Sequence, residues 1–149
     1  MPYSAGYAIY CEDIREEVSN QFSFVGVFRG AIVIAEFPAL IPKLAISITW
    51  AQHREVDRLP VRYRVIFRGD GDDDITILNE GDLPLHQQAP IEQEEALSIT
   101  DMHVRLSPFP VPKPGRLGVR LYRGEEEIRL RALTFAAPLT DGEAPPPEG

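Results

Sequence analysis

The chain has 149 residues, an apolar fraction of 44%, a charged fraction of 26% and a net charge of -8. That length suits one domain able to bury a core without metal or disulfide staples. The negative total argues against sequence-independent nucleic-acid binding, which needs a positive field. The 14 prolines disfavour long helices and favour short strands joined by turns.

Elements follow in chain order. Tyr7-Ala8-Ile9-Tyr10-Cys11 reads as a first strand. Residues 12–19 are the best helical stretch: Asp13 stands as a cap, Glu16 follows three residues later, and Ile14 and Val18 share a face. Residues 22–28 alternate, and residues 31–35 read as their hairpin partner across Arg29-Gly30. That hairpin is apolar on both faces, so the fold or another subunit must cover it. The next strand puts Leu44, Ile46, Ile48 and Trp50 on one face.

Val61-Arg62-Tyr63-Arg64-Val65-Ile66-Phe67-Arg68 is the clearest strand: Val61, Tyr63, Val65 and Phe67 point in, and Arg62, Arg64 and Arg68 point out. Residues 69–74 form an acidic turn, from which residues 75–78 pair back. Residues 79–95 read as a long polar connection. Residues 96–106 are a further strand, with Thr100, Met102, Val104 and Leu106 on one face. Residues 108–114 hold four prolines and read as an extended crossover. The last two strands, residues 115–122 and 126–135, join at Arg123-Gly124-Glu125, where glycine supplies a positive φ. In the second of them the apolar face switches from Ile128 and Leu130 to Leu133 and Phe135, which predicts a bulge or burial of both faces.

These patterns predict an all-β domain over residues 1–137, followed by an acidic, proline-rich and disordered tail over 138–149. The architecture expected is an antiparallel β-sandwich (Ig-like, C2-like or jelly-roll) of about eight or nine strands with one short helix. No unbroken apolar span of membrane length and no secretion signal is visible, so a cytoplasmic protein is expected. Cys11, the lone cysteine, reads as a buried inert thiol.

The run Tyr7-Ala8-Ile9-Tyr10-Cys11-Glu12-Asp13-Ile14-Arg15-Glu16-Glu17, the strand Phe22-Ser23-Phe24-Val25-Gly26-Val27-Phe28, and the pairs Phe37-Pro38 and Pro42-Lys43-Leu44 together resemble a family of small uncharacterised bacterial proteins. Its pattern is an apolar strand, a short acidic "D-x-R-x-E" element and a "G-x-Y/F" strand. Pro114-Gly115, opening residues 116–122, is similar to the start of the penultimate strand of many β-sandwiches. The resemblance implies a fold and no activity.

Two features carry chemistry. Arg62, Arg64, Arg68, Arg120, Arg129 and Arg131 alternate with core residues on three strands. If those strands share a sheet, the face can hold a phosphate or carboxylate bidentately. The plainer alternative is cross-strand pairing with neighbouring glutamates. Asp70, Asp72, Asp73 and Asp74 crowd one loop and are weak calcium candidates, as on C2-type domains, although one loop offers few ligands and a solvated turn has the same composition. His53, His86 and His103 lack metal-ligand spacing, and no nucleophile elbow, phosphate loop or dinucleotide fingerprint is present. A non-enzymatic binding or structural module, self-associating or part of a larger assembly and without a cofactor, is therefore expected. The alternatives are a calcium-dependent lipid or partner binder, and a hydrolase using Asp101 with Glu80 or Asp82.

Overall fold

The computed structural model describes residues 4–19, 21–53, 60–84 and 97–139. They are all-β, with twelve strands and no helix. Strands β1 (Ser4–Glu16), β2 (Phe22–Val27), β5 (Ala45–His53) and β8 (Leu97–Arg105) form one antiparallel sheet in the order β2-β1-β5-β8. A six-stranded sheet runs β3 (Ala31–Val33), β12 (Leu133–Ala136), β10 (Gly115–Arg123), β6 (Val61–Gly69) and β7 (Thr76–Asp82). In that sheet β11 (Glu126–Arg129) also pairs with β10. Two short strands, β4 (Ala39–Ile41) and β9 (Phe109–Val111), form a separate ribbon.

One face of each large sheet feeds a single apolar core. Tyr10, Leu44, Ile46, Ile48 and Trp50 come from the first sheet and its approach. Val61, Val65, Phe67, Leu117, Val119, Leu121, Leu133 and Phe135 come from the second. The rings of Phe67, Phe109 and Phe135 pack together with centroids 5.7 to 6.4 Å apart. The alternation predicted for β6 is present: Val61, Tyr63, Val65 and Phe67 are buried, while Arg62 and Arg68 are exposed. At one end of the core the buried Gln52 accepts from Trp50 Nε1 at 2.8 Å and from Arg123 Nη1 at 3.2 Å, so its amide oxygen is satisfied. The Arg123 guanidinium lies 5.4 Å from the Trp50 ring centre.

Four sequence expectations are corrected. Residues 12–16 are not helical but continue β1, pairing Glu16 with Phe22 and Ile14 with Phe24. A helix of one or two turns is marginal alone, and a strand arriving within five residues satisfies the same backbone groups by a ladder. Val18, half of the supposed helical face, is fully exposed in the turn. Residues 22–28 and 31–35 are not a hairpin. Phe28 N–H donates to Tyr10 O in one sheet, Gly30 O accepts from Thr134 N–H in the other, and β3 runs parallel to β12. Arg29 thus sits where the chain crosses between sheets. Third, β7 extends to Asp82, so the connection after it is shorter than residues 79–95. Finally, the described residues hold twelve strands because β4 follows the expected β3, the proline-rich stretch contains β9, and the last predicted strand is broken in two.

That break is a bulge, one of the two outcomes expected from the switch of the apolar face. Arg120 of β10 faces Arg129 of β11, but Leu117 faces Leu133 of β12. Three steps along β10 therefore match four along its neighbour, and the extra residue returns Leu133 and Phe135 to the core face. Gly124 at φ 60 makes the two-residue turn from β10 to β11. Gly115, opposite Gly69, is required for another reason: a Cβ there would collide with the Arg68 carbonyl. No helix among the described residues is long and apolar enough to cross a membrane. Residues 140–149, most of the predicted tail, lie outside the described residues, as do residues 85–96.

Candidate anion-binding site

The outward arginines fall on strands that are direct neighbours. Antiparallel pairing sets Arg68 opposite Arg116 and Arg64 opposite Arg120 on β6 and β10, and Arg120 opposite Arg129 on β11. Side chains at directly opposed positions share a face, so the alternation that buries Leu117 and Val119 turns these guanidinium groups outward. Arg68, Arg116, Arg120 and Arg129 line one cleft of about 370 Å3. Its floor is Ile66, Gly118 and Ala132, flanked by Val119 and Leu130.

The charges in this cleft are incompletely neutralised. Arg129 Nε bonds Glu127 Oε1 at 2.7 Å. Arg68, Arg116 and Arg120 make no ion pair with any described residue. The local field is visible in Glu127: the hydrogen bond from Arg129 holds its carboxyl below the usual glutamate range, and Arg120 and Arg64 add to the effect. Guanidinium groups stay charged at all accessible pH values, so the field is permanent.

Gly118 stands out at the floor. It lies mid-strand, where glycine costs chain entropy and packs nothing. Among the described residues nothing crowds it: an added Cβ would meet only the Ala132 Cβ, at 3.8 Å. The fold therefore does not demand glycine, and its presence keeps the floor open between the arginine rows.

The predicted arginines divide into three groups. Arg68, Arg120 and Arg129 enter the cleft. Arg62 and Arg64 pair instead with Asp82 (3.8 Å) and Glu80 (3.0 Å) of β7, as cross-strand neutralisation requires. They line an adjoining cleft with Pro60, Tyr122 and Gly124, where Arg64 lies 5.3 Å from the Tyr122 ring centre. Arg131 falls in the bulge; its carbonyl accepts from Tyr10 Oη at 2.6 Å, and its side chain lies near Gly30. Arg116 was missed by sequence reasoning. Its signal was present, since it stands four residues before Arg120 on an alternating strand.

Other candidates are dispersed. Asp72 of the acidic loop bonds Lys113 Nζ at 2.9 Å, and no three His, Cys, Asp or Glu side chains among the described residues gather as a metal-holding group. Asp101 accepts from Thr49 Oγ1 at 2.7 Å on β8, in the other sheet from Glu80 and Asp82 on β7. The His103 ring meets Phe22 edge-on at 4.5 Å; burial and Arg105 lower its pKa, opposed by Asp101 and Glu16. His86 lies outside the described residues. The Cys11 thiol is buried, donates to Asp13 O at 3.3 Å, and has its pKa raised first by burial and then by Asp13.

Fold and site together define an all-β domain with an arginine-lined cleft on the outer face of its larger sheet. The chain belongs to the family of unknown function DUF6941, which it matches over residues 6–136. No curated protein and no solved structure matches it.

Proposed function

We propose that the protein is a non-catalytic binding module, folded as a β-sandwich, that captures an anionic ligand in the cleft of Arg68, Arg116, Arg120 and Arg129. One observation carries the reading: three of these arginines lack an ion-pair partner among the described residues while converging on a floor kept open by Gly118. Among the described residues, every polar side chain lining the cleft is a guanidinium. Such groups bind carboxylates and phosphates as planar forks but do not exchange protons near neutral pH, which suits binding rather than acid–base chemistry. The sandwich reading is supported by the core shared between the two large sheets.

The test is calorimetric titration of the full chain with inorganic phosphate and with succinate at low salt. Binding is expected, and it weakens with added salt. An Arg116→Gln, Arg120→Gln double variant with an unchanged melting temperature is expected to lose it. Equal binding by the double variant refutes the assignment.

A second reading, self-association, draws on β2. It forms an edge of the four-stranded sheet, carries no charged side chain, and exposes Phe22, Phe24 and Val27. Uncharged apolar edges invite pairing with another strand. Light scattering of wild type and Phe24→Lys tests it: a wild-type monomer at high concentration removes this reading.

A further inference from the structure

The cleft arginines form two rows, not one cluster. Arg68 and Arg116 make the first, and Arg120 and Arg129 belong to the second. Four residues along β10 separate Arg116 from Arg120, about 13 Å at a rise of about 3.3 Å per residue. The outward positions between the rows hold Ile66 and Gly118, which face each other, with Ala132 beside them. The cleft is thus cationic at both ends and apolar in the middle.

Resting on the anion-binding reading, we propose that the ligand is a linear molecule with an anionic group at each end and an apolar chain between, an α,ω-dicarboxylate. A compact anion such as phosphate reaches one row and leaves the other uncompensated. A two-ended ligand gives each row a carboxylate to grip through paired N–H donors. Its methylenes lie on Ile66, Gly118 and Ala132, where they leave water. The absent side chain of Gly118 lets that chain approach the backbone. The two ends are unequal. Glu127 already occupies part of Arg129, so Arg120 carries most of the grip there, whereas Arg68 and Arg116 are both unpaired among the described residues. Arg116→Gln therefore weakens binding more than Arg129→Gln.

The experiment is a calorimetric series on the full chain with succinate, adipate, suberate and sebacate, with octanoate as the one-ended control. Affinity is expected to rise with chain length beyond succinate. Suberate is expected to bind about tenfold or more tighter than octanoate, the gain from one set of charged hydrogen bonds. Arg116→Gln and Arg120→Gln, each melting like wild type, bring suberate towards the octanoate value. Suberate and octanoate binding equally, or an affinity independent of length, overturns the two-ended proposal, and phosphate binding then keeps the anion reading alone. Failure of every carboxylate and of phosphate overturns both.

Discussion

Gly118 offers a perturbation in which stability and binding move in opposite directions. A Cβ at this position meets only Ala132, at van der Waals distance, so Gly118→Ala introduces no clash. Removing glycine from a strand interior stabilises by about 0.5–1 kcal/mol, chiefly by restricting the unfolded chain. For a domain of this size that raises the melting temperature by about 1–4 °C. The same methyl group stands on the cleft floor between the arginine rows, and Gly118→Val thickens it further. A ligand lifted from the floor loses at least one charge-assisted hydrogen bond, about 1.5–3 kcal/mol, which is roughly ten- to hundredfold in affinity. Scanning fluorimetry measures the first effect and suberate titration, whose chain spans the floor, the second. The expected pair is a higher melting temperature for Gly118→Ala, with binding weakened in it and largely lost in Gly118→Val. A Gly118→Val variant that binds like wild type would refute the cleft as the site. A Gly118→Ala variant that melts lower would show that the glycine serves the fold.

Three further outcomes are expected. Tyr10→Phe strands the Arg131 carbonyl that accepts its hydroxyl and costs about 1–3 kcal/mol by denaturant unfolding. Burial holds the Tyr10 hydroxyl well above the ordinary phenol value of about 10, so the folded chain keeps a proton that the unfolded chain sheds. This stability is complete below pH about 10 and declines above it; Tyr10→Phe flattens the decline, and an unchanged slope contradicts the assignment. His103 has the opposite sign: burial and Arg105 lower its pKa, so the unfolded chain binds the proton first and stability falls as pH drops through about 6.5. Melting curves of His103→Asn flatten in that window if His103 is the source. Calcium up to millimolar concentration leaves the melting temperature unchanged, because Asp72 is engaged by Lys113; an upward shift returns Asp70, Asp72, Asp73 and Asp74 to consideration as ligands.

What could be read from the sequence follows a physical division. The alternation on β6 and β10 was legible because one face is buried and the other is arginine-rich, which leaves one consistent phase. The bulge before Leu133 was legible for the same reason: it interrupts an alternation strong enough to notice. The path of the chain between sheets was not legible. Arg29-Gly30 is as good a hairpin turn as a crossing, and only the remote partners Tyr10 and Thr134 decide between them. The acidic stretch after Cys11 satisfied helical spacing because Ile14 and Val18 are four apart, yet its ladder partner, β2, outweighs that local signal. Tyr7, Phe22 and Phe24 are exposed although they alternate on strands, which no spacing rule reveals. The arginine face was visible as a set of side chains. Its division into neutralised and unneutralised groups depends on β7, which sets Glu80 and Asp82 beside Arg64 and Arg62.

The parallel pairing of β3 with β12 bears on how the chain is made. β3 follows the first two strands, yet its ladder partner is β12, about a hundred residues further along the chain. On a ribosome, which delivers the amino end first, the four-stranded sheet has all its strands once β8 has emerged. The larger sheet has only β3, β6 and β7 by then, and its central strand β10 is still to come. The inner faces of β5 and β6 therefore wait uncovered until β10 and β12 have been made. Such late, distant pairing slows folding and exposes nascent strands to wrong partners. Ribosome-stalled chains ending just after β8 are accordingly expected to be protease-sensitive and chaperone-bound, and chains that extend past β12 to be resistant.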